Sequence, residues 1–252
     1  MIFYICNMET NKLLLDDFKK DNENVELSDI LVKLVLKDFN KVKSIGLTRA
    51  EMDSIGIKRD QYGKPSLIDN RAVQGSIHYS VSHSGRFWAC LMAFENVGLD
   101  IEDMDLWRGK NHDDKPLKRK KTLQYEAIAK RFFTPEEISY VASTGIEGFF
   151  DIWVRKEAFI KFKGKGLSLG LKSFSVVGDG RLLDRITTSA QAGANRLEED
   201  IIHMYSSPTI LDTDIKMAYC LKNKKKIEEL RDVPLTSKKY VDLKDILVEV
   251  KE

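Results

Sequence analysis

Asp100 and Glu102, one residue apart in Gly98-Leu99-Asp100-Ile101-Glu102, form a candidate site for a hard divalent cation. In a strand, alternate side chains share a face, so Leu99 and Ile101 would face a core while the two carboxylates project together on the other side. Carboxylates held that close repel unless a proton or a cation lies between them. Oxygen ligands of this kind suit magnesium, which binds through one or two carboxylates together with water and substrate phosphate. Taken alone, such a pair is also what a solvated strand end looks like.

A second group shares one helix. Trp153, Glu157 and Lys161 recur at every fourth residue, a spacing that places them on one face. Lys161 could neutralise phosphate oxygens as a mobile point charge, and Glu157 could take a proton from an incoming hydroxyl. The plainer reading is a Trp beneath an exposed Glu–Lys pair. Thr134-Pro135-Glu136-Glu137 has the composition of a capping box with Pro at the first helical position. Glu137 is therefore either the capping side chain or a third metal carboxylate. Val81-Ser82-His83-Ser84-Gly85 gathers two hydroxyls and an imidazole as a compact set of phosphate hydrogen-bond donors. Lys64, in Gly63-Lys64-Pro65, adds a positive charge at a turn or is an ordinary solvated lysine.

The elements that must position these residues are visible as periodicities. Residues 1–6 read as a strand. Leu27, Ile30, Leu31, Leu34 and Val35 repeat at helical spacing, and Val32 and Leu36 widen the apolar face into that of a core helix. Gln61-Tyr62-Gly63-Lys64-Pro65 is a turn. Phe87 to Phe94 and Val97 to Glu102 read as two strands of a hairpin turning at Glu95-Asn96. Residues 103–125 are charged and poor in aliphatics, with a basic run from Lys115 to Lys121, and read as a long exposed loop or insert. Helical signals resume at Glu126 and Thr134. An amphipathic helix spans about Phe149 to Phe162, stopped by Gly164 and Gly166. Ser173–Val177, Ile201–Tyr205 and Lys216–Leu221 read as strands, with a short helix near 241–248. The fold class is α+β.

Composition bounds the partners. The chain has 252 residues with a formal charge of +2, so no broad nucleic-acid footprint is expected. No apolar run approaches the roughly 20 residues needed to span a bilayer, and the N-terminus lacks a basic leader. Cys6, Cys90 and Cys220 are odd in number and widely spaced, which argues against a disulfide framework and a zinc cluster. A cytoplasmic protein is expected.

In chain order, six segments resemble the Sfp-type 4′-phosphopantetheinyl transferases. They are Gly63-Lys64-Pro65, Ser82-His83-Ser84-Gly85, Gly98-Leu99-Asp100-Ile101-Glu102, Arg131-Phe132-Phe133 with Glu137, Trp153-x-x-Lys156-Glu157-Ala158-Phe159-x-Lys161, and Gly164-Lys165-Gly166-Leu167-Ser168-Leu169. The match is close from Tyr62 to Val177 and looser to Cys220. The resemblance implies two similar α/β halves related by pseudo-twofold symmetry, residues 1–97 and 98–252, with coenzyme A bound between them. It implies that a serine of an apo acyl or peptidyl carrier protein attacks the β-phosphate of coenzyme A, with release of 3′,5′-ADP. By position, Asp100, Glu102 and Glu137 would hold Mg2+ and Glu157 would be the base. Lys161 would stabilise the transferring phosphoryl group, while Lys64, Ser82, His83 and Lys156 would contact coenzyme A. A monomer would suffice. No arginine precedes the first core helix, where many members place a nucleotide-phosphate ligand; Asn24 and Val25 stand there. The basic insert would dock an acidic carrier helix. Competing readings are a degenerate member that only binds coenzyme A or a carrier, and a magnesium-dependent phosphohydrolase or nuclease.

Overall fold

A computed structural model describes residues 1–21, 25–68, 77–108, 124–189, 199–207, 215–224 and 229–230. The basic run at 115–121 and the helix expected at 241–248 lie outside these residues. In chain order the elements are β1 (Ile2–Asn7), α1 (Lys12–Asp21), α2 (Leu27–Val42), α3 (Arg49–Ser54), β2 (Gly56–Arg59), β3 (Pro65–Ile68), β4 (His78–Ser84) and β5 (Phe87–Ala93). They continue with β6 (Val97–Asp103), α4 (Met104–Arg108), α5 (Gln124–Phe132), α6 (Pro135–Lys163), β7 (Val177–Gly178), β8 (Arg181–Leu182), β9 (Arg185–Ser189), β10 (Glu199–Ser207), β11 (Ile215–Leu221) and β12 (Glu229–Leu230). Helix and sheet are mixed, as the α+β expectation requires.

The described residues fall into two compact units, one running to Glu95 and including β12, the other running from Asn96 to Lys224. The first unit carries a sheet of order β12-β1-β5-β4. Strand β5 is buried at every position, as befits an interior strand, and α2 buries Ile30, Leu31, Val32, Leu34, Val35, Leu36 and Phe39 in the same core. Trp88 donates its indole N–H to Ser28 Oγ at 3.0 Å, and Arg59 bridges Asp29 and Glu26 at 2.8 and 2.7 Å. These bonds fix α2 at its N-terminal end.

The second unit has a sheet of order β6-β11-β10-β9, and α6 packs against it. The expected β5–β6 hairpin does not form. Strand β6 pairs antiparallel with β11, while β5 lies between β1 and β4. Partner choice is a non-local matter that a tight-turn signal cannot settle. At the intended turn Asn96 instead donates its side-chain amide to the Phe162 carbonyl at 2.8 Å, tying the start of β6 to the end of α6.

Helix α6 begins earlier than its apolar pattern suggests. Thr134 and Glu137 form the expected reciprocal capping box with Pro135 at the first turn, and Gly164 caps the far end at φ 66°. Gly145, at φ 68° and ψ −147°, interrupts the helix in a region that only glycine enters cheaply. The strand expected at Ser173–Val177 is mostly irregular: Leu171–Ser173 is a 3-10 turn and only Val177–Gly178 pairs. The reason is a competing acceptor, since Val176 gives its N–H to Glu137 Oε1 at 2.8 Å rather than to a ladder. Cys6, Cys90 and Cys220 are free and buried, and burial pushes the Cys6 thiol up to about 12.

Two constraints hold the second unit together. Gly98 lets β6 touch α6, because a Cβ there would run into the Ala158 carbonyl oxygen, the Phe162 amide and the Phe162 side chain. Lys156 and Glu137 form a fully buried ion pair at 2.8 Å. The Lys156 ammonium also donates to the Leu171 and Phe174 carbonyls, each at 2.7 Å, and lies 4.3 Å from the centre of the Phe174 ring. Burial holds the Lys156 pKa down, while Glu137 opposes that shift. A buried pair is costly to form but more costly to break from one side. Gly98→Ala is therefore expected to lower unfolding stability by about 2 kcal/mol or more, read by urea denaturation. Glu137→Gln, which strands a buried ammonium, should cost about 3 kcal/mol or more, and the double variant Glu137→Gln/Lys156→Met should recover part of that loss in the same assay.

Candidate active site

Strand β6 presents Gly98, Asp100 and Glu102 to α6, while Leu99 and Ile101 are buried on the opposite face. The alternation expected from the sequence is present, but the carboxylate face meets a helix rather than open solvent. Asp100 is only 5% exposed, and its Oδ1 accepts a hydrogen bond from Lys161 Nζ at 2.7 Å. The Gly98 contact sets that distance, since Phe162, one residue beyond Lys161, lies against the Gly98 backbone.

Glu157 is one helical turn before Lys161 and half-buried. Its pKa is raised, first by burial and then by the Asp100 charge, with Lys161 pulling the other way. Glu157 thus feels both Asp100 and Lys161, and the three form one electrostatic unit. Trp153, the next residue down this helix face, stacks on Phe149 at 5.8 Å between ring centres. The grouping of Trp153, Glu157 and Lys161 is therefore a packed aromatic base below two electrostatically coupled charges.

Lys216 was not singled out by sequence reasoning. It stands opposite Glu102 in the β6–β11 register, on the same sheet face, and is 5% exposed. Its ammonium lies 2.6 Å from Asp151 Oδ1 and 3.1 Å from Glu147 Oε2, both on α6. The available signal was a lone charge within the apolar strand Ile215-Lys216-Met217-Ala218-Tyr219-Cys220-Leu221. Lys216 thus adds positive charge beside the carboxylate strand, and its partners fix it to the helix that carries Glu157.

Other expected residues sit elsewhere. Glu137 is fully buried: Oε2 accepts from the Thr134 N–H at 2.8 Å, and Oε1 takes the Val176 N–H and Lys156. Lys156, expected to touch a ligand phosphate, is fully buried with that pair. The signal that places it inward is the stripe Phe149, Ile152, Lys156 and Phe159, at three- and four-residue steps.

In the first unit, strand alternation divides the expected donor set. Ser82 and Ser84 are buried on one face of β4 while His83 is exposed on the other, and the chain turns immediately after at Gly85, φ 57°. Lys64 closes the β2–β3 turn, where Asp60 Oδ1 accepts the Tyr62 and Lys64 N–H groups at 2.8 and 3.0 Å. Burial lowers the Lys64 pKa to about 8, against an opposing pull from Asp60.

Among the described residues no cluster of three or more His, Cys, Asp or Glu side chains could hold a metal alone. Two carboxylates on one strand face remain a fitting donor set for magnesium, which completes its shell with water and phosphate. Among the described residues no helix is long and apolar enough to cross a membrane.

The profile of the 4′-phosphopantetheinyl transferase superfamily matches residues 96–220, the span that contains Asp100, Glu102, Glu157 and Lys161. The chain is 33% identical over 163 residues to the 4′-phosphopantetheinyl transferase Sfp of Bacillus subtilis (strain 168), covering 63% of this chain and 59% of that protein. A 4′-phosphopantetheinyl transferase of Bacillus subtilis is 35% identical over 162 residues, again 63% of this chain and 59% of the relative. The 4′-phosphopantetheinyl transferase psf-1 of Bacillus pumilus is 28% identical over 210 residues, 81% of this chain and 72% of the relative. The match thus spans about 59% of the length of the first two relatives. Residues 96–220 thus match the 4′-phosphopantetheinyl transferase superfamily.

Proposed function

We propose that the protein transfers the 4′-phosphopantetheine arm of coenzyme A to a serine of an apo acyl or peptidyl carrier protein. The observation that carries this reading is the Asp100–Lys161 contact with Glu157 beside it, built by the Gly98 approach of β6 to α6. A carboxylate face, a cation and a carboxylate of raised pKa are the parts that phosphoryl transfer to a hydroxyl needs. Relatives bearing the same activity in their names support it.

In this reading Asp100 and Glu102 would hold Mg2+, which when bound would neutralise charge on the coenzyme A diphosphate. Glu157 accepts the proton of the carrier serine as its oxygen attacks the β-phosphorus. The bond from that phosphorus to the bridging oxygen breaks, and 3′,5′-ADP leaves with the electron pair. The raised pKa of Glu157 suits a base working near neutral pH. Lys161 lies against Asp100 and so stands next to the oxygens that gain charge. Lys216, tied to Asp151 and Glu147 on α6, adds positive charge beside Glu102 in the strand register. Glu137, expected as a third metal ligand, and Lys156, expected as a ligand contact, serve here as positioning residues that fix α6 from within. Lys64 and His83 would meet coenzyme A phosphates, while Ser82 lies on the buried face of β4 opposite His83.

The wider architecture proposed is a pseudo-symmetric repeat of two halves. Each unit's sheet sets its first long strand against its last, and that last strand against the one before: β1-β5-β4 and β6-β11-β10. In each, a long helix follows the first strand. The protein would act as a cytoplasmic monomer.

Incubation with coenzyme A, Mg2+ and a panel of apo carrier proteins should add one phosphopantetheine mass to a carrier, read by intact mass spectrometry. Glu157→Gln should slow that gain at least ~100-fold. No gain on any carrier would leave a protein that only binds, and free phosphopantetheine without an acceptor would point to hydrolysis. Lys64 gives a pH test. It is charged below about 8, so calorimetric affinity for coenzyme A should fall as pH rises through that value. Lys64→Arg, charged throughout, should flatten the profile; an unchanged profile would remove Lys64 from the coenzyme A site.

A further inference from the structure

Away from the carboxylate strand, the second unit contains a cavity of about 840 Å3 formed by the β7–β8 turn, the start of β9, the middle of β10 and Lys224. Its size lies within the usual range of small-ligand sites. Arg181, Arg185 and Lys224 line it, and none of the three makes an ion pair among the described residues. Asp179 and Asp184 are the lining carboxylates, and Asp184 already answers the charge of buried Arg155. The balance of the lining is therefore positive, with the His203 imidazole adding a further polar contact. Leu182, Leu183, Met204 and Tyr205 supply its apolar part.

The walls are built rather than loose. Arg155, 5% exposed, donates from Nη1 to the Leu183 carbonyl and from Nη2 to Ser206 Oγ, both at 2.7 Å. Leu183 N–H donates to the Val176 carbonyl at 2.9 Å, and Met204 N–H donates to the Asp184 carbonyl at 2.8 Å. Tyr205 is held by stacking on Tyr219, with ring centres 4.8 Å apart and planes 10° from parallel. A guanidinium fork recognises phosphate oxygens through paired hydrogen bonds, which a lysine supplements as a point charge.

We propose that this cavity binds a phosphomonoester carried on a small apolar or aromatic body, with Arg181, Arg185 and Lys224 on the phosphate and Tyr205 with Leu182 and Leu183 on the body. The site uses none of the residues assigned to phosphopantetheine transfer and stands independently of that reading.

The probe is phenyl phosphate, titrated into the full chain and followed by NMR shifts of the His203 and Tyr205 rings and by calorimetry, with no coenzyme A or carrier present. Saturable binding in the low millimolar range or tighter is expected, about fivefold stronger than inorganic phosphate because the ring covers apolar wall. Phenol should not bind. Arg181→Gln and Arg185→Gln should each weaken phenyl phosphate about tenfold, while Lys58→Gln, on a solvent-facing position of β2, should leave it unchanged. Circular dichroism verifies that each variant is folded. Absence of saturable binding, equal weakening by Lys58→Gln, or shifts that spare His203 and Tyr205 would overturn the proposal.

Discussion

The approach of a bare backbone to a helix is the constraint on which the second unit of this protein depends. With no side chain at Gly98, strand β6 lies directly against the Ala158–Phe162 turn of α6. Everything proposed for the site follows from that closeness. Lys161 reaches Asp100 over 2.7 Å because strand and helix touch, and Glu157 feels Asp100 for the same reason. A wider strand–helix spacing would leave the same residue types in the same order with nothing to act upon. Asn96, bonded to the Phe162 carbonyl, fastens the contact at its edge.

Around that contact α6 separates its charges by direction. Lys156 and Glu157 are neighbours in sequence yet serve opposite sides. Lys156 turns inward to Glu137 and two backbone carbonyls, a dry environment in which each charge requires the other. Glu157 turns toward Asp100 and Lys161, where its proton is held less far from neutrality than an ordinary carboxylate's. Asp151 takes Lys216 farther down the helix. The rigid inward pair matters to the outward group because it fixes the rotation of the helix about its own axis.

Much of this was legible in the sequence, and what was not has physical causes. Strand alternation put Asp100 and Glu102 on one face, helical periodicity put Glu157 with Lys161, and the capping box marked a helix start at Thr134, which the apolar pattern from Phe149 did not join to the same helix. These are local rules, and local rules survived. The hairpin from β5 to β6 failed because the partner of β6 is β11, far along the chain, and a plausible turn says nothing of distant competitors. The strand at Ser173–Val177 failed because a buried Glu137 carboxylate captured a backbone donor. The contact of Lys156 with coenzyme A was implied only by its place in the family motif, which does not reveal that this lysine lies in an apolar stripe with a buried counter-ion. Alternation in β6 groups Asp100 with Glu102, whereas in β4 the same rule separates the Ser82 hydroxyl from the His83 imidazole, so the expected donor set is split.

The buried cysteines have a consequence for how this molecule can be watched. Cys90 lies at the centre of β5 and Cys220 in β11, each fully shielded, with burial keeping the thiol protonated. A thiolate, the form that reagents attack, is inaccessible while either sheet is closed. Alkylation of Cys90 therefore counts openings of the first sheet, and alkylation of Cys220 counts openings of the second. Read peptide by peptide, alkylation at these two positions reports the local breathing of each unit separately, with no engineered cysteine.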